Sequence, residues 1–184
     1  MTTGVVKHRL KTLDMAYIAV CAVLIAVCSW IIIPATVPFT MQTFAVFTVV
    51  GLLGGKRGTI CILLYILLGA IGLPVFSGFS GGMGVLLGTT GGYIMGFLGS
   101  TLLMWGVEKI FGKKLVVQII SMVAGLFVCY ALGTAWFMAA YSYNNGSVGL
   151  TAVLGWCVIP FIIPDIIKIV LAVIVTKRVG KHIQ

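Results

Sequence analysis

The stretch WCVIPFIIPDIIKIVLAVIV, residues 156–175, is apolar except for one carboxylate, Asp165, and one ammonium group, Lys168. It is about as long as the roughly 20 residues that a helix needs to cross a bilayer. The two charges are three residues apart and therefore share one face of a helix. At about 1.5 Å per residue they lie roughly 14–18 Å from the next basic residue, Lys177, which is about half the thickness of the hydrocarbon core.

Two charges at this depth need a special environment. Each costs on the order of 2.5–3.5 kcal/mol on insertion scales, and pairing lowers that cost. We therefore expect Asp165 and Lys168 to face the interior of a bundle or a polar cavity. A purely structural ion pair and a proton-relay carboxylate are the other interpretations. Pro160 and Pro164 lack amide hydrogens, which predicts a kinked or broken helix just before Asp165, and broken membrane helices often form substrate sites.

The rest of the chain has the same membrane character. It has 184 residues, of which 61% are hydrophobic and 8% are charged, whereas soluble domains have about 25% charged residues. We predict a single all-α membrane domain over residues 1–184, a bundle of six transmembrane helices. The predicted spans are about 13–33, 41–53, 58–72, 91–107, 115–140 and 150–176.

The basic residues fit this arrangement and explain the net charge of +9. All the loops and tails that carry them fall on one side of a six-span chain, and positive residues favour the cytoplasmic side. We expect both termini in the cytoplasm, and no nucleic-acid footprint. Of the 12 Lys and Arg residues, only Lys168 lies outside these clusters: Lys7, Arg9 and Lys11; Lys56 and Arg57; Lys109, Lys113 and Lys114; and Lys177, Arg178 and Lys181.

The loops on the other side are more apolar than solvent-exposed loops usually are. Residues 34–40 are short and uncharged, and residues 73–90 are long, glycine-rich and hydrophobic. Irregular backbone at membrane depth is tolerated where it packs on protein or lines a cavity. We therefore expect these loops to fold back over the outer mouth of the bundle and to cover a ligand pocket; a mobile surface loop is the alternative.

Other chemistries find little support. The five cysteines lie in apolar runs without a CxxC pattern, and His8 and His182 lie in the basic tails. An intramembrane enzyme would need a nucleophile beside a base, and the spans offer no such pair. Gly54–Thr59 fails the phosphate-loop pattern because Arg57 follows Lys56. We predict no metal, cofactor or catalytic site, and a transporter of this kind would depend on partner subunits for energy.

Two small-residue patterns indicate close helix packing. Gly92 and Gly96 form a GxxxG pattern that we expect to pack within the chain. An alanine stripe in the first span fits either internal packing or docking to a partner helix; it consists of Ala16, Ala19, Ala22 and Ala26.

Three motifs in order resemble the BioY family, the biotin-specific substrate-binding (S) components of energy-coupling factor (ECF) transporters. SGGMGVLLGTTGGYIMGF, residues 80–97, is similar to the family's glycine-rich stretch, with Thr89 where the family usually has proline. Val37–Gln42 resembles its first outer loop, and PDIIK, residues 164–168, its last-helix signature. The resemblance covers nearly the whole chain.

The resemblance implies a six-helix bundle in the bacterial plasma membrane that binds biotin near the outer face under its loops. It also implies two kinds of partner, a transmembrane coupling subunit and two cytoplasmic ATPases, and it makes the alanine stripe a docking surface. An S component for another small vitamin and a structural membrane subunit are the alternatives.

Biotin suits the predicted site because its ureido ring carries N–H donors and a carbonyl acceptor, and its tail carries a carboxylate. We expect Asp165 to accept the ureido N–H groups and Lys168 to donate to the ureido oxygen or to the carboxylate. The other expected contacts are hydrogen bonds from Gln42, Thr90 and the backbone near Gly82 and Gly91, and apolar walls from Phe39 and Tyr93.

Overall fold

The structure is a computed structural model and describes residues 12–34, 37–146 and 148–182. The basic residues Lys7, Arg9 and Lys11 and loop residues 35 and 36 lie outside the described ranges. The described chain is almost entirely helical. Its elements are α1 (Thr12–Trp30), β1 (Ile32–Ile33), β2 (Phe39–Thr40), α2 (Gln42–Leu53), α3 (Gly55–Ala70), α4 (Met83–Leu87), α5 (Gly91–Phe111), α6 (Leu115–Asn145), α7 (Leu150–Cys157) and α8 (Ile159–Val179), with short 3-10 helices at Ser77–Phe79 and Gly180–His182.

The six predicted spans correspond to α1, α2, α3, α5, α6 and the α7–α8 pair, which confirms the predicted all-α membrane fold. In the described residues, four helical segments are long and apolar enough to cross a membrane: 12–30, 91–111, 115–143 and 150–179. The other two, α2 and α3, have 12 and 16 residues. Almost every residue of α2 is buried, as expected for a helix that is apolar on all sides and surrounded by other helices.

Close packing of α5 on α6 is made possible by glycine. A Cβ at Gly92 would collide with the Trp136 side chain, and one at Gly96 would approach the Cys129 backbone to 3.1 Å. The GxxxG pattern therefore packs within the chain, as predicted.

The break in the last span does not lie where the sequence predicted it. Val158, with φ −125° and ψ −57°, separates α7 from α8, about two turns before Asp165. Pro160 falls in the first turn of α8, where an amide hydrogen has no helical partner anyway. Pro164 lies inside α8, so the helix is not broken just before Asp165 and the pair lies on a continuous helix. The other form of the prediction, a kink there, stays a prediction.

The described parts of the two apolar loops, within residues 34–40 and 73–90, fold onto the bundle, as predicted. In the first loop β1 pairs with β2 in an antiparallel hairpin. The second loop is attached to α1 through Trp30, whose indole N–H donates to the Pro74 carbonyl at 2.9 Å. The Trp30 ring also stacks on Phe79 with 4.8 Å between centroids. These contacts hold the second loop against the end of α1.

Apart from Lys168, the basic residues in the described part of the chain lie at the opposite end of the bundle. Arg57 pairs with Asp14 at 3.1 Å, and Lys113 with Glu108 at 3.5 Å. Glu108 also accepts the Gly55 amide at the start of α3. In the turn that failed the phosphate-loop pattern, a carboxylate of the chain itself therefore occupies the N-terminus of α3.

Candidate ligand-binding site

The ion pair predicted from the opening stretch forms in the interior. Lys168 Nζ donates to Asp165 Oδ1 at 2.7 Å. Asp165 is 2% exposed and Lys168 is 3% exposed. The prediction that both charges face inward is confirmed.

Two further residues contact this pair. Phe39 was predicted from the sequence, and Tyr130 was not. The Tyr130 hydroxyl on α6 donates to Asp165 Oδ2 at 2.6 Å. Lys168 Nζ lies 4.0 Å from the centroid of the Phe39 ring, a distance at which the ammonium is attracted to the ring face. The pair therefore connects α8 to α6 on one side and to the first loop on the other.

A cavity adjoins the pair beneath the outer loops. It offers about 70 Å³ to the centres of water-sized molecules, which is room for several waters. The first loop contributes Val37 and Pro38, and the second loop contributes Ser77. Among the described residues, Asp165 and Lys168 are the only charged groups in its lining, and the two loops contribute to its wall.

Three predicted side chains line this cavity: Gln42, Thr90 and Tyr93. Gln42 Nε2 donates to the Tyr65 hydroxyl at 3.0 Å, and that hydroxyl donates to the Val75 carbonyl at 2.9 Å. Gln42 is thereby linked to the second loop. The Tyr93 ring occupies the space that a Cβ at Gly133 would fill.

Phe39 contributes from beside the cavity. Its ring stacks on Phe161, which lines the cavity, with 5.9 Å between centroids. Phe39 therefore supports the wall and covers Lys168, a position close to the one predicted.

The predicted ligand contacts of the backbone near Gly82 and Gly91 stay predictions, and the structure shows which groups of the chain the two amides bond to. The Gly82 amide donates to the Gly69 carbonyl at 2.7 Å, and the Gly91 amide donates to the Gly88 carbonyl at 3.1 Å. Neither residue is in the cavity lining. The Gly82 amide is therefore engaged by the end of α3 and the Gly91 amide by the loop itself, on the two sides of α4.

The alanine stripe divides into two halves. Ala16 and Ala19 are exposed, whereas Ala22 and Ala26 are buried at 4% and 5%. Ala22 and Ala26 pack inside the bundle, which fits the internal-packing alternative, and docking by the stripe stays a prediction. Ala16 and Ala19 remain accessible to a partner helix.

Several lining residues were not predicted. Most of them sit near element ends, which carry no periodic signal in the sequence, whereas Cys129 and Tyr130 lie in the middle of α6. The unpredicted lining residues are Thr40, Thr43, Ser77, Cys129, Tyr130, Cys157 and Phe161. All five cysteines are buried and free of disulfides.

The lining combines a carboxylate acceptor, an ammonium donor, an amide, hydroxyl groups and aromatic walls. This combination suits a small molecule with N–H donors, carbonyl or carboxylate oxygens and an apolar body. A model of the BioY family matches residues 3–184 of the chain. The chain belongs to the BioY family.

Relatives in the BioY family have similar lengths. The biotin transporter BioY of Thermotoga maritima is 41% identical over 160 residues, which are 86% of this chain and 90% of that protein. The biotin transporter BioY2 of Lactococcus lactis is 39% identical, over 89% of this chain and 88% of that protein. The probable biotin transporter BioY of Pyrococcus horikoshii is 42% identical, over 77% of this chain and 80% of that protein.

A solved BioY-like fold matches almost the whole chain. The crystal structure of the S-component for biotin from an ECF-type ABC transporter covers 99% of this chain and 95% of its own, with a TM-score of 0.80 and 27% sequence identity. Together with the apolar helices, this match makes the chain a multi-pass membrane protein.

Proposed function

We propose that this BioY-family chain is the biotin-binding S component of an ECF transporter, a transport protein and not an enzyme. The observation that carries the proposal is the buried Asp165–Lys168 pair, which lines a cavity beneath two folded outer loops. Relatives that align over most of the chain are named biotin transporters.

The chemistry of the site fits biotin. The Asp165 carboxylate offers acceptor lone pairs to the ureido N–H groups, and Lys168 offers donors to an oxygen. Gln42 and Thr90 add neutral hydrogen-bonding groups, and Tyr93 adds an aromatic wall. Leaving either charge unpaired in this interior is expensive, so a ligand must replace each hydrogen bond that it displaces.

The partners and the orientation belong to the same proposal. The chain takes up biotin at the outer face, with both termini in the cytoplasm, and hands it inward with a coupling subunit and two ATPases. We assign the alanine stripe of α1 to docking, with Ala16 and Ala19 as its exposed members. The alternatives are an S component for another small vitamin and a structural subunit in which the ion pair only holds helices together.

Biotin titration by calorimetry tests the proposal on the detergent-purified full chain and on Asp165→Asn and Lys168→Met. We expect tight binding by the native chain and at least about tenfold weaker binding, 1.4 kcal/mol, in each variant. Arg57→Gln is the control, because it removes an ion pair outside the cavity and should leave the affinity unchanged.

Each contrary result points to one alternative. Absence of biotin binding by the folded native chain would reject biotin, and unchanged affinity in both variants would reduce the pair to a structural role. Elution volume and thermal unfolding show whether each variant is folded.

The biotin group that Lys168 meets follows from a double cycle with biotin methyl ester, which lacks the carboxylate charge. If Lys168 binds the carboxylate, the methyl ester binds the native chain more weakly than biotin does. Replacing Lys168 with Met then weakens binding of the ester little further. If Lys168 binds the ureido oxygen, the loss of binding free energy from esterification and the loss from Lys168→Met are additive.

A further inference from the structure

A second cavity lies at the basic end of the bundle, far from Asp165. It offers about 290 Å³ to the centres of water-sized molecules. The ends of α2, α5 and α8 and the start of α6 surround it, and Thr176 and Lys177 of α8 belong to its lining. It is separate from the cavity proposed for biotin.

The lining has an excess of positive charge. Lys113, Lys177 and Lys181 line the cavity together with one carboxylate, Glu108. Glu108 is already used by Lys113 and by the Gly55 amide. Within the described part of the chain, Lys177 and Lys181 form no ion pair, so they remain to neutralise an anion.

Neutral donors belong to residues in the wall of the same cavity. Leu115 and Val117, in the first turn of α6, line the cavity, and the first amides of a helix lack helical acceptors and favour anions. The Thr176 hydroxyl is a second and independent feature. It lines the cavity, its residue is 8% exposed, and its oxygen has no hydrogen-bond partner among the described residues. A buried hydroxyl without a partner is costly, and a bound oxygen acceptor would satisfy it.

The rim favours a lipid over a free anion. Beside the cavity, Ile110, Phe111 and Val116 are exposed by 74%, 63% and 65%, at the ends of spans that cross the bilayer. Apolar side chains at this level can contact acyl chains while the lysines contact a headgroup. Basic pockets between helices at this boundary bind anionic headgroups.

We propose that this cavity binds the headgroup phosphate of an anionic phospholipid from the leaflet on the basic side. Lys177 and Lys181 supply the charge, the first turn of α6 supplies amides, and the Thr176 hydroxyl donates from the floor of the cavity. A bound lipid would join the ends of α2, α5, α6 and α8. The proposal does not depend on biotin binding.

Native mass spectrometry of the full chain in neutral detergent tests it, with dioctanoyl phosphatidylglycerol as the probe and dioctanoyl phosphatidylcholine as the zwitterionic comparison. We expect the native chain to prefer phosphatidylglycerol. Lys177→Gln with Lys181→Gln should weaken that binding by about thirtyfold, since each lysine near the membrane surface contributes about a factor of five or six.

The matched control removes the same charge at the same end. Lys56 and Lys109 are exposed and lie outside the cavity lining, so their double replacement by Gln should change the affinity little. Thr176→Val should weaken lipid binding without lowering the unfolding temperature of the lipid-free chain, because the hydroxyl has no partner to lose. This variant keeps the test valid if the double lysine variant folds poorly.

Several results would overturn the proposal. Equal weakening by the two lysine pairs would indicate diffuse charge attraction, and equal binding of the two lipids would exclude an anionic headgroup site. Sodium phosphate that competes at the same concentration as the lipid would assign the cavity to free phosphate. Lipid binding that Thr176→Val leaves unchanged would contradict the assigned floor of the cavity.

Discussion

At the scale of single residues, the site depends on how one carboxylate divides its hydrogen bonds. One oxygen of Asp165 accepts from Lys168 and the other from Tyr130, at 2.7 and 2.6 Å. Each carboxylate oxygen keeps further acceptor capacity. Asp165 is therefore held in one orientation with lone pairs left for a ligand, and the oriented group does not have to be ordered at the moment of binding.

Tyr130→Phe tests this orienting role. We expect biotin binding about tenfold weaker, because a hydrogen bond to a charged group contributes about 1.5–3 kcal/mol and part of that serves to position the carboxylate. Calorimetry measures it. Tyr17→Phe is the control, since Tyr17 lies on α1 outside the cavity lining. An unchanged affinity in Tyr130→Phe would show that Lys168 alone orients Asp165.

The site residues that could be identified from the sequence were those whose side chains are unusual for their surroundings. A charge in an apolar span must be buried or paired, and this reasoning gave Asp165 and Lys168. Tyr130 could not be found this way, because its partner is 35 residues away and a tyrosine in a membrane helix is not unusual. The sequence could not show which amides near Gly82 and Gly91 remain free, because local loop geometry decides their partners.

At the scale of helices, close approach depends on missing side chains. Gly92 faces Trp136 across the α5–α6 contact, whereas Gly106 on the same helix has no atom within 4 Å of an added Cβ. The same substitution should therefore have opposite effects at the two positions.

Gly92→Ala should destabilise the chain by about 1–3 kcal/mol, because the added methyl collides with a packed side chain. Gly106→Ala should leave it unchanged or stabilise it by up to about 1 kcal/mol through helix propensity. Thermal unfolding in detergent measures both. A similar loss of stability in the two variants would mean that glycine is needed for something other than the α5–α6 contact.

The helix pattern was predictable because the bilayer sets both the length of an apolar span and the side on which basic loops lie. The strand pair, α4 and the break at Val158 were not, because short elements at the bundle end are decided by tertiary contacts such as that between Trp30 and Pro74. Pro164 misled the prediction because proline inside a membrane helix is tolerated when neighbouring groups satisfy the backbone.

At the scale of the whole molecule, the two ends have different chemistry. The candidate cavity and the folded loops lie at the end whose loops carry no basic residue, and the exposed lysines and arginines of the described residues lie at the other. Uptake by capture at the outer face requires the basic end to be cytoplasmic, as the positive-inside rule predicts. The proposed function therefore requires this orientation of the chain.

Thiol labelling measures this orientation directly. The five native cysteines are buried, so a membrane-impermeant maleimide should leave the native chain unlabelled. Gly149→Cys adds a thiol on the cavity side, where an added Cβ meets only Thr151 Oγ1 at 3.9 Å, and Lys56→Cys adds one at the exposed basic end.

We expect intact cells to label Gly149→Cys and permeabilised cells to label both variants, because only the cavity side faces outward. The permeabilised sample is also the control for thiol reactivity at each position. Labelling of Lys56→Cys in intact cells would place the lysines outside and the cavity inside. The loops would then close over a site that faces the cytoplasm, and capture of external biotin by this end of the bundle would be excluded even if the purified chain binds the vitamin tightly.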